Sequence, residues 1–193
     1  MLNPNEPIQR KAPQRQLHTF AVYAEDKPGV LSRITSLFRR RAYNIDSLTA
    51  GHTDVPGVSR LTVVLESDDA EARLIEANLY KLVNVLRVED LTHVATMKRD
   101  LALIKVKANA EARPQVMQMI EVFRARIIDV APESLVLEIT GTEDKIDGLL
   151  EILSPFGIIE MVRTGGVAMT RGSEATTIHP HFVHARVPQD KNS

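Results

Sequence analysis

The chain has 193 residues, 44% hydrophobic and 25% charged, enough to bury one large core or two small ones under a polar surface. Lys plus Arg number 24 against 25 for Asp plus Glu, a net charge of -1, so the basic surplus that a nucleic-acid binder uses to neutralise phosphates is missing. There is no cysteine, which excludes disulfides, thiol catalysis and thiolate metal sites, and no run approaches the roughly 18 apolar residues of a membrane span.

Residues 1–16 are polar, with prolines at 4, 7 and 13, and carry neither an apolar signal core nor a transit-peptide pattern. A flexible segment and a cytoplasmic protein are expected. Leu17 to Ala24 alternates apolar and polar residues, the period of a half-buried strand. After a turn at Asp26 to Gly29, Val30, Ile34, Leu37 and Phe38 fall at helical spacing, with Arg33 and Arg39 to Arg41 on the other face. Asn44 to Ala50 reads as a strand, Gly51 to Gly57 as a hairpin loop and Val58 to Glu66 as the next strand. Asp68 caps a second helix with Ala72, Ile75, Leu79 and Leu82 inward, and Val83 to Val94 closes the unit as a strand around Val85, Leu86 and Val88. The order β-α-β-β-α-β is ferredoxin-like and covers one sheet face with two helices. The other face needs a cover, for which a second copy of the chain is expected.

The second half repeats the order. Leu101 to Ala108 reads as a strand, and Arg113 to Phe123 as a helix with Val116, Met119, Ile120 and Phe123 inward. Ile127 to Val130 and Ser134 to Thr140 read as strands about a turn at Pro132. Thr142 starts a helix carrying Ile146, Leu149, Leu150 and Leu153, and Ile158 to Met169 reads as one closing strand. Phe38-Arg39 through Ile45-Asp46 parallels Phe123-Arg124 through Ile128-Asp129, so the fold class is α+β with two tandem ferredoxin-like domains. Their expected bounds are 17–95 and 96–170, followed by a flexible tail over 171–193.

No Gly-rich phosphate loop, paired-acid site, nucleophile elbow or zinc signature is present. Arg163-Thr164-Gly165-Gly166 falls within the closing strand and reads as a bulge or tight bend. His179, His181 and His184 form the only histidine cluster; they lie in a polar tail without a scaffold to fix metal geometry, so no metal is expected there. The turn into the first helix is chemically richer. Gly29 permits a tight exit from the strand, Pro28 costs no hydrogen bond there, and the amides of Gly29, Val30 and Leu31 become free donors at the positive end of the helix dipole. Such a site suits a ligand carboxylate, and Asp26 beside it either caps the helix or takes a ligand ammonium group. Plain helix capping and the binding of a free α-amino acid both fit these residues.

The stretch Glu25-Asp26-Lys27-Pro28-Gly29-Val30-Leu31-Ser32-Arg33 leads into FRRRAYNIDSLT, then VSRLTVV and YKLVNVLRV. Together with the later RDLALIKV and IIDV, it resembles the regulatory small subunit of acetolactate synthase (acetohydroxyacid synthase) over about Leu17 to Gly172. The resemblance implies a non-catalytic chain with an N-terminal ACT domain that pairs in a homodimer. Valine, or sometimes leucine or isoleucine, would bind between the paired domains. A catalytic large subunit carrying thiamine diphosphate, magnesium and usually FAD would be activated and made sensitive to feedback inhibition. That partner condenses pyruvate with pyruvate or 2-oxobutanoate in branched-chain amino-acid synthesis, and this chain itself would hold no cofactor.

Carried over to this sequence, the effector contacts fall on Asp26, Gly29, Val30 and Leu31 of one chain and on Asn44 and Ile45 of its partner. Two positions depart from the commonest family pattern: Asp26 stands for Asn, and Ala42 for Gly. If residue 42 needs a positive φ, alanine costs on the order of 1 kcal/mol. The alternative is a stand-alone ACT-type amino-acid sensor with a different client. An independent enzyme lacks its acid–base constellation, and 4% aromatic content disfavours RNA stacking on the sheet.

Overall fold

The architecture comes from a computed structural model in which residues 15–172 are described. The His179, His181 and His184 cluster lies outside those residues, as does most of the segments expected to be flexible, 1–16 and 171–193; of these, Gln16 belongs to the first strand and the Arg171 amide donates to Ala95 O at 2.8 Å. Strand β1 (Gln16–Glu25) leads through the Asp26–Gly29 turn into α1 (Val30–Arg40), then β2 (Ile45–His52), β3 (Val58–Ser67), α2 (Asp69–Leu79) and β4 (Val85–Asp90). The second unit runs β5 (Thr96–Lys107), α3 (Arg113–Phe123), β6 (Arg126–Ala131), β7 (Ser134–Gly141), α4 (Glu143–Leu153), β8 (Ile158–Arg163) and β9 (Val167–Thr170). The sheets are antiparallel with matching strand orders, β2-β3-β1-β4 and β6-β7-β5-β8, and β9 is attached to β5. The chain is α+β, with two ferredoxin-like units.

The apolar faces read from periodicity form the cores. Phe20, Val22, Ile34, Phe38, Val63, Leu65, Ile75 and Leu79 are buried together in the first, and Ile104, Val116, Ile120, Leu137, Ile146 and Leu149 in the second. Each such aliphatic or phenyl group removed from water contributes about 1.5–3 kcal/mol. Asp68 caps α2 as expected, its Oδ1 accepting from the amides of Ala70 and Glu71 at 2.8 Å each. The internal repeat extends to irregularities. Register shifts fall between Ile45 and Ser47 and between Ile127 and Asp129, and again between Tyr23 and Ala24 and between Lys105 and Val106. These bulges occupy matching places in the two units.

Three expectations need correction. The strand placed over Val83 to Val94 is confined to Val85–Asp90. The strand expected from Leu101 begins at Thr96, and the strand expected over Ile158 to Met169 is two strands. The break is the Arg163-Thr164-Gly165-Gly166 bend, where Gly165 adopts φ 79°. Beyond it, β9 pairs with Thr96–Arg99 and the resulting ribbon lies over the outer face of the first sheet. There Ala168 packs with Ala21, Tyr23 and Val58, Arg60 Nη2 donates to Ala168 O at 2.5 Å, and Thr49 Oγ1 donates to Thr164 O at 3.1 Å. The face expected to need a second copy is therefore covered at its centre by the chain's own second unit. Ala21 and Thr19 are fully buried beneath it.

Candidate effector site

Strand β1 ends on Glu25, whose buried carboxylate accepts from Asn84 Nδ2 at 2.6 Å and pairs with Lys27 Nζ at 3.2 Å. Asn84 Oδ1 in turn accepts from Arg33 Nη1 at 3.1 Å, tying the loop before β4 to the first turn of α1. Above this brace, the Asp26 amide donates to Gly57 O at 2.8 Å. Gly29 then enters α1 at φ 82°, a left-handed conformation that favours glycine.

The helix start is open. Gly29 occupies the N-cap position with no side-chain cap, and the first helical hydrogen bond runs from Arg33 N to Gly29 O at 3.0 Å. Val30 N is not free, since it donates to Lys27 O at 3.3 Å. This corrects the expectation that Gly29, Val30 and Leu31 all present free amides. At this helix start, the amides for which the described residues supply no backbone acceptor are those of Gly29, Leu31 and Ser32. Asp26 does not cap the helix: its carboxylate meets His52 Nδ1 at 3.2 Å, at the end of β2. The amide face is thus left to an outside acceptor, with a carboxylate at its side rather than on top of it.

Asn44 and Ile45 lie at the other end of the unit. Ile45 pairs with Leu65, and Leu65 with His18 near the start of β1, whereas the Gly29 turn follows Glu25 at its end. Seven residues of strand separate the two levels, about 23 Å. One chain therefore brings Asp26, Gly29, Val30 and Leu31 together and holds Asn44 and Ile45 apart from them. Asn44 is exposed, and Ile45 packs half-buried on the first core. β2 is the outermost strand of its sheet, so one side of its backbone is unpaired by the chain itself. Ala42 does adopt a positive φ, 56°, which is uncommon for a residue that carries a Cβ.

Sequence reasoning missed the Glu25–Asn84–Arg33 brace and the Asp26–His52 contact. Asn84 sits inside the Lys-Leu-Val-Asn-Val run, and that run was the available signal for the first; the second joins residues far apart in sequence and has no local signature. Among the described residues, no group of three His, Asp or Glu side chains is placed to hold a metal ion, and no helix is long and apolar enough to cross a membrane.

Tandem ferredoxin-like units, the first with an open glycine turn at the head of its first helix, define a protein of the ACT-domain class. Residues 20–87 match the family model for the AHAS small subunit-like ACT domain, and residues 99–172 match that for the small subunit of acetolactate synthase. A probable acetolactate synthase small subunit of Methanothermobacter thermautotrophicus is 45% identical over 157 residues, covering 81% of this chain and 94% of that one. The acetolactate synthase small subunit of Mycobacterium bovis is 45% identical over 155 residues, covering 80% and 92%. The crystal structure of the Thermotoga maritima small subunit superposes with a TM-score of 0.78 at 37% identity, covering 82% of this chain and 99% of that one. The chain belongs to the family of acetolactate synthase small subunits.

Proposed function

We propose that the chain is a regulatory subunit that carries no chemistry of its own, binds a branched-chain amino acid, chiefly valine, and sets the activity of a catalytic large subunit. The observation that carries the amino-acid site is the uncapped start of α1, where the Gly29, Leu31 and Ser32 amides have no backbone acceptor at the positive helix end. The ligand carboxylate docks on these amides. Its ammonium group lies toward Asp26, which exchanges His52 for the ligand, and an aliphatic side chain rests against the exposed Leu31.

Completion of the site requires a second copy. Pairing of two β2 strands in antiparallel sense joins the sheets edge to edge and carries Asn44 and Ile45 of one chain toward the His52 end of the other. Edge-to-edge pairing leaves the strand ribbon over the outer sheet face undisturbed. Thiamine diphosphate, magnesium and FAD belong, in this reading, to the catalytic subunit.

The test is reconstitution with the catalytic subunit, following acetolactate formation against valine, leucine and isoleucine. The chain alone is expected to be inactive, to raise the turnover of the catalytic subunit several-fold, and to make it valine-sensitive. A matched catalytic subunit whose rate and valine response are both unchanged would overturn the reading.

A further inference from the structure

The C-terminal ends of α1 and α2 meet around a hollow of about 310 Å3 lined by Leu37, Arg40, Arg41, Asn78, Lys81 and Leu82. Asn78 is 7% exposed, and its Oδ1 accepts from Lys81 Nζ at 3.1 Å and from Arg41 Nη2 at 3.5 Å. Two cations thus converge on one neutral oxygen. The carboxylates that form ion pairs within 4.0 Å among the described residues are engaged with other cations, and none reaches Arg40, Arg41 or Lys81. The last turn of a helix favours positive charge, which accounts for Arg39 and Arg40 at the end of α1. It does not account for two positive heads drawn together over a hollow, where they repel each other and keep most of their donors unused.

We propose that this hollow binds a small oxyanion of the phosphate class. Arg40, Arg41 and Lys81 supply its charged donors, the buried Asn78 holds two of them in place, and Leu37 and Leu82 form the apolar walls. A phosphate group offers several acceptor atoms in a geometry that guanidinium pairs with two at a time, which a single amide oxygen cannot do. The volume lies at the small end of ligand pockets, about 300–1,000 Å3. Because Arg41 and Lys81 converge on the single Asn78 Oδ1 instead of spreading along a face, a free anion fits better than an acidic protein segment. The proposal is independent of the amino-acid site, which lies at the opposite end of α1.

Calorimetric titration and thermal melting of the full chain with inorganic pyrophosphate, at matched ionic strength in chloride, test it. Pyrophosphate is expected to bind and to raise Tm. Arg41→Gln and Lys81→Gln each weaken binding at least about tenfold through loss of a charged hydrogen bond. Without the anion, Lys81→Gln is at least as stable as the parent, because the repulsion is relieved. Arg40→Gln breaks no hydrogen bond of the fold and keeps the test decisive should another variant unfold. Valine titration of the same variants should be unchanged. No binding beyond the chloride control, or equal pyrophosphate affinity in all variants, overturns the proposal. So does a result in which the variants lose only their association with the catalytic subunit and the parent binds no free anion.

Discussion

At the head of α1, Gly29 stands at φ 82° with no side chain over the helix amides; at the matching place before α3, Ala112 has φ −77° and its amide donates to Asn109 Oδ1 at 2.9 Å. The second helix start is also packed by Arg113, whose Nη2 donates to the carbonyls of Ala108, Ala131 and Pro132 at 3.0, 2.5 and 2.7 Å. Both units share strand order, bulge positions and core pattern, so the fold itself does not decide whether a helix N-terminus binds anything. What decides it is whether the chain satisfies its own donors. The second unit does so with Asn109, whose Oδ1 accepts from the Ala112 amide at 2.9 Å and whose carbonyl accepts from the Arg113 amide at 3.0 Å. The first turns Asp26 to His52 and leaves the Gly29, Leu31 and Ser32 amides without such an acceptor. A second contrast sits where β1 meets β4 and β5 meets β8: His18 Nδ1 lies 3.0 Å from Asp90 Oδ2, and Arg163 Nε lies 3.6 Å from Asp100 Oδ2, so the carboxylate is on the last strand in the first unit and on the first strand in the second.

The largest expected effect comes from forcing the first helix start to resemble a satisfied one. Gly29→Asp places a carboxylate over the amide face and a side chain at a left-handed φ. Valine affinity should fall at least about a hundredfold, near 3 kcal/mol, by isothermal titration, with the fold retained. Full affinity in that variant would remove the contrast between the two starts.

The carboxylate on β4 gives the next effect. Burial alone pushes the Asp90 carboxyl up, but hydrogen bonds from the Thr92 hydroxyl and amide and from His18 outweigh it and hold it below its ordinary value. A lowered carboxylate contributes stability that is complete above the ordinary carboxylate range and is lost as pH falls through the folded value. Asp90→Asn should cost about 1–2 kcal/mol at neutral pH and flatten the decline of stability between about pH 5 and 2 in denaturant melts. An unchanged slope would show that this pair does not hold β4 to β1.

Asn109→Ala uncaps the second start and should destabilise the chain by about 1 kcal/mol while leaving valine titration untouched. Smallest of all, Ala42→Gly relieves the φ 56° strain. Its gain is partly offset by the greater freedom of glycine in the unfolded chain, so a net stabilisation of about 0.5 kcal/mol should appear as a slightly higher Tm.

The elements with strong helical period were legible in the sequence. Val30, Ile34, Leu37 and Phe38 are buried as spaced, Asp68 caps α2, and α3 runs Arg113–Phe123. The glycine turn was legible too, because a positive φ and a free helix start are written in local residue types. The strand ribbon was not. Thr96–Arg99 is mostly polar and shows no apolar alternation, since it is held by main-chain pairing to β9 and by Arg60 from the other unit. Apolar residues continue on both sides of the Gly165-Gly166 bend, so the sequence marks a bend there but not that it divides two strands; Gly165 lies against Ser47 and Thr49 of the first unit, a contact with no local signature. The orientation of Asp26 was open for the same reason: His52, which decides it, is brought in by the β2–β3 hairpin and not by sequence proximity.

The most direct test of the account follows the backbone amides of both helix starts by NMR while valine is added to the full chain. The Gly29, Leu31 and Ser32 amides are expected to shift and saturate together while those of Ala112 and Arg113 do not move. Shifts at the α3 start equal to those at α1, or none at Gly29 under saturating valine, would contradict it.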